Sequence, residues 1–360
     1  MNATRTCDLR AEAEHTNQRP RSRSRFFWIM TDDLVLVTGS AGHLGEAIMR
    51  TLQSRGLHAR GIDINASAFT NAVGSITDQA FVRSQLGDVA AIIHCATLHK
   101  PHVETHSARE FIDTNITGTL ILLEEAVLAG VRSFVYTSTT STFGSALSPP
   151  ADQPAAWVTE STIPIPRNIY GVSKAAAESV CELSHRRDGL PVVILRIARF
   201  FPEPDDDPSI RSAFSTANVQ VNELLFRRAD IEDVVDAHLL AVECAPKLGF
   251  GRYIISATTP FSRDDLLELR QAMPDVVRRY APGFDTVFAE RGWRMFAGID
   301  RVYVNDLARR ELGWRPKYDF AYAISRLRAG RDHRSALART IGAKGYHAVE
   351  IANGPYPFEE

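Results

Sequence analysis

The 360-residue chain carries 44% hydrophobic and 23% charged side chains, the balance of a soluble globular protein with material for a large core. A formal net charge of -2 excludes the basic excess of a nucleic-acid-binding domain, and no apolar run approaches the ~20 residues that cross a bilayer. Cys7, Cys95, Cys181 and Cys244 are spaced too widely for a metal knuckle or redox pair, so they read as incidental thiols of a reducing cytoplasm, and no metal is expected.

Residues 1–30 stand apart. A polar stretch with Arg19, Arg21, Arg23 and Arg25 precedes Phe26 to Met30, an apolar run too short for a secretory signal. Composition reads the segment as a disordered extension, with Met30 as an alternative start. From Leu34 short apolar runs alternate with helical stretches. Strands are expected at Leu34–Val37, Ala59–Ile62 (ending at Asp63), Val89–His94, Ser133–Thr137 and Pro191–Leu195. Helices are expected over 43–55, 108–128 and 168–186, the second with Ile112, Ile116, Leu120 and Leu123 on its apolar face. Beyond Arg196 the texture changes. The run Phe201 to Pro208 is rich in proline and aspartate and is expected to be irregular. A helix over 231–243, a strand over 252–255 and helices near 262–271 and 305–312 follow. The alternation predicts an α/β fold, a Rossmann-type doubly wound parallel sheet with a smaller, partly interleaved C-terminal substrate lobe. The expected bounds are 31–200 for the dinucleotide domain, 201–330 for the lobe and 331–360 for a C-terminal tail.

The first strand runs into Thr38-Gly39-Ser40-Ala41-Gly42-His43-Leu44-Gly45, glycines spaced GxxGxxG at the start of a helix. Gly39 suits a tight turn, Gly42 lets a pyrophosphate approach the backbone, and Gly45 allows close helix packing. The helix N-terminus then offers N–H groups and partial positive charge to phosphate. Asp63, 18 residues after Gly45 at the end of the second strand, is placed to accept ribose hydroxyls. It would repel a 2′-phosphate, which favours NAD over NADP.

Tyr170 and Lys174 lie four residues apart on one helical face. A phenol is a poor base at neutral pH, and an adjacent ammonium together with a nicotinamide ring is expected to lower its pKa. Tyr170 then exchanges a proton with a substrate hydroxyl while hydride moves at the same carbon. Lys174 also has the reach to hold the nicotinamide ribose. Upstream, Tyr136 to Ser141 carries hydroxyls from the end of a strand into the ligand crevice. One of Thr137, Ser138, Thr139 and Thr140 is expected to hold the substrate oxygen.

These motifs resemble an extended short-chain dehydrogenase/reductase, the group of the NAD-dependent sugar epimerases and dehydratases. The likeness covers about Leu34 to Arg328. It rests on the glycine turn, Ile92-Ile93-His94-Cys95-Ala96, Asn115 to Thr119, the hydroxyl loop ending in Phe143-Gly144, Tyr170 to Lys174, Arg228 to Val234, and Leu312-Gly313-Trp314-Arg315-Pro316. The resemblance implies Tyr170, Lys174, Thr139 and Asn115 as the catalytic set. It implies that Ile76, Cys95, Ala96, Asn115 and Thr137 join Gly39, Ala41, Gly42, His43, Leu44, Gly45 and Asp63 around NAD, and that Arg196 begins the stretch closing over nicotinamide. Ser138, Thr139, Thr140 and Arg199 are then substrate-facing, and a homodimer pairs through the helices over 108–128 and 168–186. The sequence departs where sugar-nucleotide enzymes often carry an asparagine and Gly-Pro: it has Arg199-Phe200-Phe201-Pro202. Where they often show an acidic residue after the third strand, it has Gly74-Ser75-Ile76.

The expected function is an oxidoreductase of the epimerase/dehydratase type, moving hydride and proton at a secondary alcohol or carbonyl of a sugar or nucleotide sugar. A net NAD(P)-dependent dehydrogenase or reductase of a small hydroxy or carbonyl compound is the alternative. A dinucleotide sensor is a third reading, one that has no need of Tyr170 and Lys174 together. His99 and Lys100 read as solvated surface, with positive charge available to an anionic substrate. No nucleic-acid or membrane partner is expected.

Overall fold

The computed structural model describes residues 33–205 and 207–344. The expected N-terminal extension, its arginine cluster and Met30 lie outside them. Among the described residues nine strands run in chain order: β1 (Leu34–Thr38), β2 (Ala59–Asp63), β3 (Ala72–Val73), β4 (Val89–His94), β5 (Ser133–Thr139), β6 (Ala156–Val158), β7 (Val192–Ile197), β8 (Phe250–Ile255) and β9 (Arg301–Tyr303). Seven form one sheet in the order β3-β2-β1-β4-β5-β7-β8, and every paired neighbour is parallel.

Helices cover both faces of this sheet, which is why its strands read as unbroken apolar runs. Val35, Val37, Ile93 and Val135 face one core, beneath the helices His43–Ser54 and Ile231–Leu248. Leu36, Ile92, Phe134 and Tyr136 face the other, beneath Gln79–Gln85, Gly118–Leu128 and Ile169–Asp188. The strand order reverses direction between β1 and β4. Both strands end there at the same edge, and a crevice opens outside those carboxyl ends.

The lobe has its own core, built around Val221, Leu269, Val276, Val277, Phe284, Phe288, Val302 and Phe320. Its β6 and β9 form a separate two-stranded parallel sheet. The interleaving is explicit: Ile231–Leu248 and β8 belong to the large sheet although they follow lobe residues in sequence. Trp314 closes the arrangement. Buried, it donates from Nε1 to the Asp233 carbonyl at 2.9 Å, while the Asp233 carboxylate accepts Lys317 and Tyr318 N–H at 2.8 and 2.9 Å.

Four elements differ from the expected ones. The stretch 108–128 is not one regular helix: a π turn, Ile112–Thr117, separates Ala108–Phe111 from Gly118–Leu128. The wider turn leaves Ile112 41% exposed and rotates Asn115 inward to 1%. The expected helix over 262–271 resolves into two 3-10 turns, Arg263–Asp265 and Glu268–Arg270. The reason is Asp265, whose carboxylate accepts the Ser262 N–H and hydroxyl, an Arg279 N–H and the Tyr280 hydroxyl instead of facing solvent on a helix. After the proline-rich run the chain becomes helical at Pro208–Ala213, with Pro208 in the first turn and Asp207 capping Ser209 N–H. The segment assigned to a tail contains Ala336–Ile341, whose Ile341 is buried in the core beside Ile48. Among the described residues no helix is long and apolar enough to cross a membrane.

Candidate active site

The crevice at the end of β1 and β4 is a cleft of about 860 Å³ running from the glycine turn to the lobe. Gly39 turns the chain at φ +72, and a Cβ there would lie 2.7 Å from Ala96 N. At Gly45 a Cβ would lie 2.0 Å from the Gly39 carbonyl oxygen. Both positions are closed to any larger residue by backbone. Gly42 differs: its Cβ would meet only the Gly39 oxygen, at 3.3 Å, so its bare face opens on the cleft. No side chain caps the helix that begins at His43. His43 and Leu44 therefore line an uncapped helix N-terminus, a ready anion cradle.

Asp63 lines the same cleft, its carboxylate accepting Ala41 N–H at 3.0 Å and Asn65 N–H at 2.8 Å. These bonds fix an acceptor beside the turn, where ribose hydroxyls would lie. Ile76 lies on the same side, buried against Gly118. At the end of β4 the Thr38 hydroxyl accepts the N–H groups of both Cys95 and Ala96 at 3.1 Å. Burial pushes the Cys95 thiol up to about 12, so it is inert as a nucleophile.

Asn115 does not line the cleft, although Thr114 does. Its Oδ1 accepts Leu98 N–H at 2.8 Å and the Thr97 hydroxyl at 2.9 Å. Its Nδ2 donates to the Leu98 carbonyl at 3.1 Å and to Ser173 Oγ at 3.0 Å. All its side-chain capacity is thus used. Asn115 ties the loop after β4 to the helix Ile169–Asp188.

That helix carries Tyr170 and Lys174, both buried and both facing the cleft. Tyr170 and the Thr139 side chain line the same part of the cleft, near enough for Thr139 to favour the phenolate, which brings together the two hydroxyls that the sequence pairs. Lys174 donates from Nζ to the Thr137 carbonyl at 2.7 Å and sits 4.2 Å above the Tyr136 ring. The Thr137 hydroxyl is shared with His238 Nε2 at 2.9 Å, and His238 Nδ1 pairs with the Val234 carbonyl.

Burial pushes the Tyr170 phenol up to about 12, and the nearby Thr139 side chain opposes that rise. The ammonium is spent on a carbonyl and a ring face, and burial lowers its own pKa to about 8. Below that value Lys174 is charged, above it neutral. NAD affinity is therefore expected to fall as pH rises through about 8, because a neutral amine holds ribose hydroxyls less strongly. Isothermal titration across that range checks this, and Lys174→Met should remove the step; a step that persists in the variant belongs to another group.

His99 is not solvated surface. Half-buried, it stacks on Tyr170 with centroids 5.6 Å apart and meets Phe201 edge-on at 5.4 Å. Burial lowers its pKa to about 3, so it is a neutral wall and supplies no charge.

At the lobe end, Ser138 and Thr140 line the cleft with their hydroxyls committed, to Glu178 at 2.5 Å and the Ile197 carbonyl at 3.4 Å. Arg196 is buried beneath the cleft, not on it, and holds Glu178 through Nε and Nη2, the latter at 2.7 Å. The stretch after it, Ile197 to Phe201, does line the cleft. Arg199 is there, donating to Asp205 at 3.0 Å and the Pro204 carbonyl at 2.8 Å. Sequence reading missed its neighbours Arg227, Arg301 and Tyr303. Arg227 bridges Asp205 at 3.2 Å and Glu223 at 2.8 Å. Burial alone would raise the Glu223 carboxyl, but Arg228 and Arg227 hold it down at about 2. Arg227 was within reach, one residue before the Arg228 motif. Arg301 and Tyr303 arrive on β9 by pairing with β6, which no local pattern announces.

The sequence profile of the NAD-dependent epimerase/dehydratase family matches residues 35–249. An uncharacterized protein of Sinorhizobium fredii is 34% identical over 169 residues, spanning 45% of this chain and 39% of that protein. A dTDP-glucose 4,6-dehydratase of Streptomyces antibioticus is 28% identical over 332 residues, spanning 81% and 90%. Among solved structures, a short-chain dehydrogenase/reductase superfamily protein from Agrobacterium tumefaciens with bound NAD superposes with a TM-score of 0.57 at 23% identity, covering 82% of this chain and 98% of that one. The glycine turn with its open Gly42 face, the Asp63 acceptor and the Tyr170/Lys174 helix fit that cofactor, and the chain belongs to the NAD-dependent epimerase/dehydratase family of extended short-chain dehydrogenases/reductases, as an NAD-dependent enzyme.

Proposed function

We propose that this enzyme acts at a secondary carbinol of a nucleotide sugar, as an epimerase or dehydratase that returns the hydride it removes. The observation that carries the reading is the Thr139–Tyr170 hydroxyl pair with Lys174 one turn further on, in the same cleft as the glycine turn. NAD, held by the turn at Gly42 to Leu44, Asp63 and Lys174, would supply a reversible hydride acceptor and the positive charge of its nicotinamide ring. Thr139 orients the substrate hydroxyl, and Tyr170 takes its proton as the carbon–hydrogen bond breaks. A phenol held near 12 by burial needs that extra positive charge before it serves as a base near neutral pH. Lys174 holds the nicotinamide ribose, and His99 and Phe201 shield the phenol from water.

Arg199, Arg227 and Arg301 at the lobe end support an anionic substrate such as a nucleoside diphosphate sugar. One observation favours the second reading, a net dehydrogenase of a smaller hydroxy compound: Arg199 and Arg227 are offset by Asp205 and Glu223. We assign residues 31–200 to cofactor binding and 201–330 to substrate. Ile112, Leu128, Val172 and Leu183 are exposed on the two helices of the proposed homodimer face, which supports pairing there. The free thiols of Cys95 and Cys181 support a cytoplasmic setting.

Acid release of nucleotide from the purified protein, followed by a screen of nucleotide sugars, free sugars and hydroxy acids, tests the reading. Retained NAD and product formation without free NADH are expected with a nucleotide sugar. Stoichiometric NADH from a small hydroxy compound, with no nucleotide sugar turned over, establishes the second reading instead.

A further inference from the structure

The C-terminal segment returns across some 300 residues of sequence to the glycine turn. Ala336–Ile341 docks on the helix His43–Ser54 through Ile341, and Gly342 at φ +61 redirects the chain. Lys344 then lies against the turn itself. Its backbone N–H reaches His43 Nε2 at 3.2 Å and Glu203 Oε1 at 3.3 Å. Its Nζ donates to the Ala41 carbonyl at 2.7 Å and to the Glu46 carboxylate.

Two carboxylates flank this phosphate cradle. Glu46 is in the first turn of the helix, and Glu203 is bound to His43 at 2.9 Å. Burial works against the Glu46 charge, but Lys344 and Arg50 keep its pKa below the ordinary value, so it is anionic. Either charge within a few ångströms of a pyrophosphate opposes its binding. Neither carboxylate lines the cleft, whereas Lys344 does. The ammonium therefore faces the cleft where phosphate oxygens would lie, paired with an anionic carboxylate outside it.

We infer that Lys344, delivered by the C-terminal segment, is part of the cofactor site and supplies the positive charge that makes the glycine turn receptive to the dinucleotide pyrophosphate. It belongs to no local motif of the turn, and it is held in place by the Ile341 anchor whatever its side chain. The inference concerns NAD binding alone and is independent of the substrate reading.

Equilibrium titration of the full-length protein, stripped of nucleotide, with NAD, NADP and adenosine tests it. Lys344→Ala is expected to weaken NAD roughly tenfold to a hundredfold, the scale of losing a charge-assisted contact. NADP should weaken by the same factor, and adenosine, which has no phosphate, should change by less than about twofold on the same argument. Lys344→Arg should keep most of the affinity, and Lys344→Ala with Glu46→Gln should recover much of the loss by removing the exposed carboxylate. Melting curves of the variants confirm that each is folded. An unchanged NAD affinity in Lys344→Ala overturns the proposal. So does an equal loss for adenosine, which marks a merely structural strap, and so does a loss confined to NADP, which places the cation at the ribose 2′ position.

Discussion

Tyr170→Phe is expected to lower turnover by about a thousandfold, within the range that one positioned acid/base contributes, while NAD affinity stays within about twofold. The phenyl ring keeps the stacking on His99 and the volume that Tyr170 fills, so the cleft wall stays intact. Only the hydroxyl is lost, and with it the acceptor of the carbinol proton beside Thr139. Stopped-flow measurement of turnover beside titration of NAD separates the two effects. Parallel loss of both would assign Tyr170 to cofactor binding, and retention of most activity would remove it from the mechanism.

Glu178→Ala is expected to cost about 3–5 kcal/mol of stability, the range for breaking a buried ion pair from one side. Glu178 and Arg196 are each 2% exposed, and the carboxylate also accepts the Ser138 hydroxyl at 2.5 Å and faces Arg252 Nε at 3.1 Å. Removing it strands a guanidinium beneath β5 and the substrate end of the cleft. Replacing both partners with apolar residues of similar size, Glu178→Leu with Arg196→Met, should cost less than the single change, because no charge is left unpaired. Denaturant unfolding of the three proteins checks the ordering. A single variant no less stable than the wild type would show that the pair contributes nothing net.

What the sequence made legible was local. Val89 to His94 announced itself because a strand covered on both faces must be apolar throughout. The glycine turn did so because Gly39 and Gly45 answer constraints set within seven residues of each other. Asp63, Tyr170 and Lys174 followed from their spacing to those elements and Thr139 from the family resemblance, and all four line one cleft. Asn115 was legible as a residue but its setting was not. That setting depends on a π turn that moves it off the apolar stripe, and nothing in Ile112 to Thr117 prescribes one.

The lobe was less readable because its order comes from distant partners. β6 and β9 have three residues each and pair across some 145 positions, Ala156 with Arg301 and Trp157 with Val302. The cleft residues they carry, Arg301 and Tyr303, inherit that invisibility. Lys344 is the extreme case, a cation for the turn supplied from the far end of the chain. The setting of Lys174 was hidden for a related reason. Spacing showed that an ammonium was near, but not that the Thr137 carbonyl and the Tyr136 ring would engage it.

The central claim is that one cleft brings the dinucleotide to the Tyr170 hydroxyl, and a crystal structure of the protein with NAD tests it most directly. The account predicts the pyrophosphate on the turn at Gly42 to Leu44, the adenosine ribose on Asp63, and the nicotinamide ring beside Lys174. Its reactive carbon should then lie about 3–3.5 Å from where a carbinol carbon fits when its oxygen meets Tyr170 and Thr139. A dinucleotide bound in the opposite direction, or a nicotinamide ring lying out of reach of that hydroxyl pair, would contradict it.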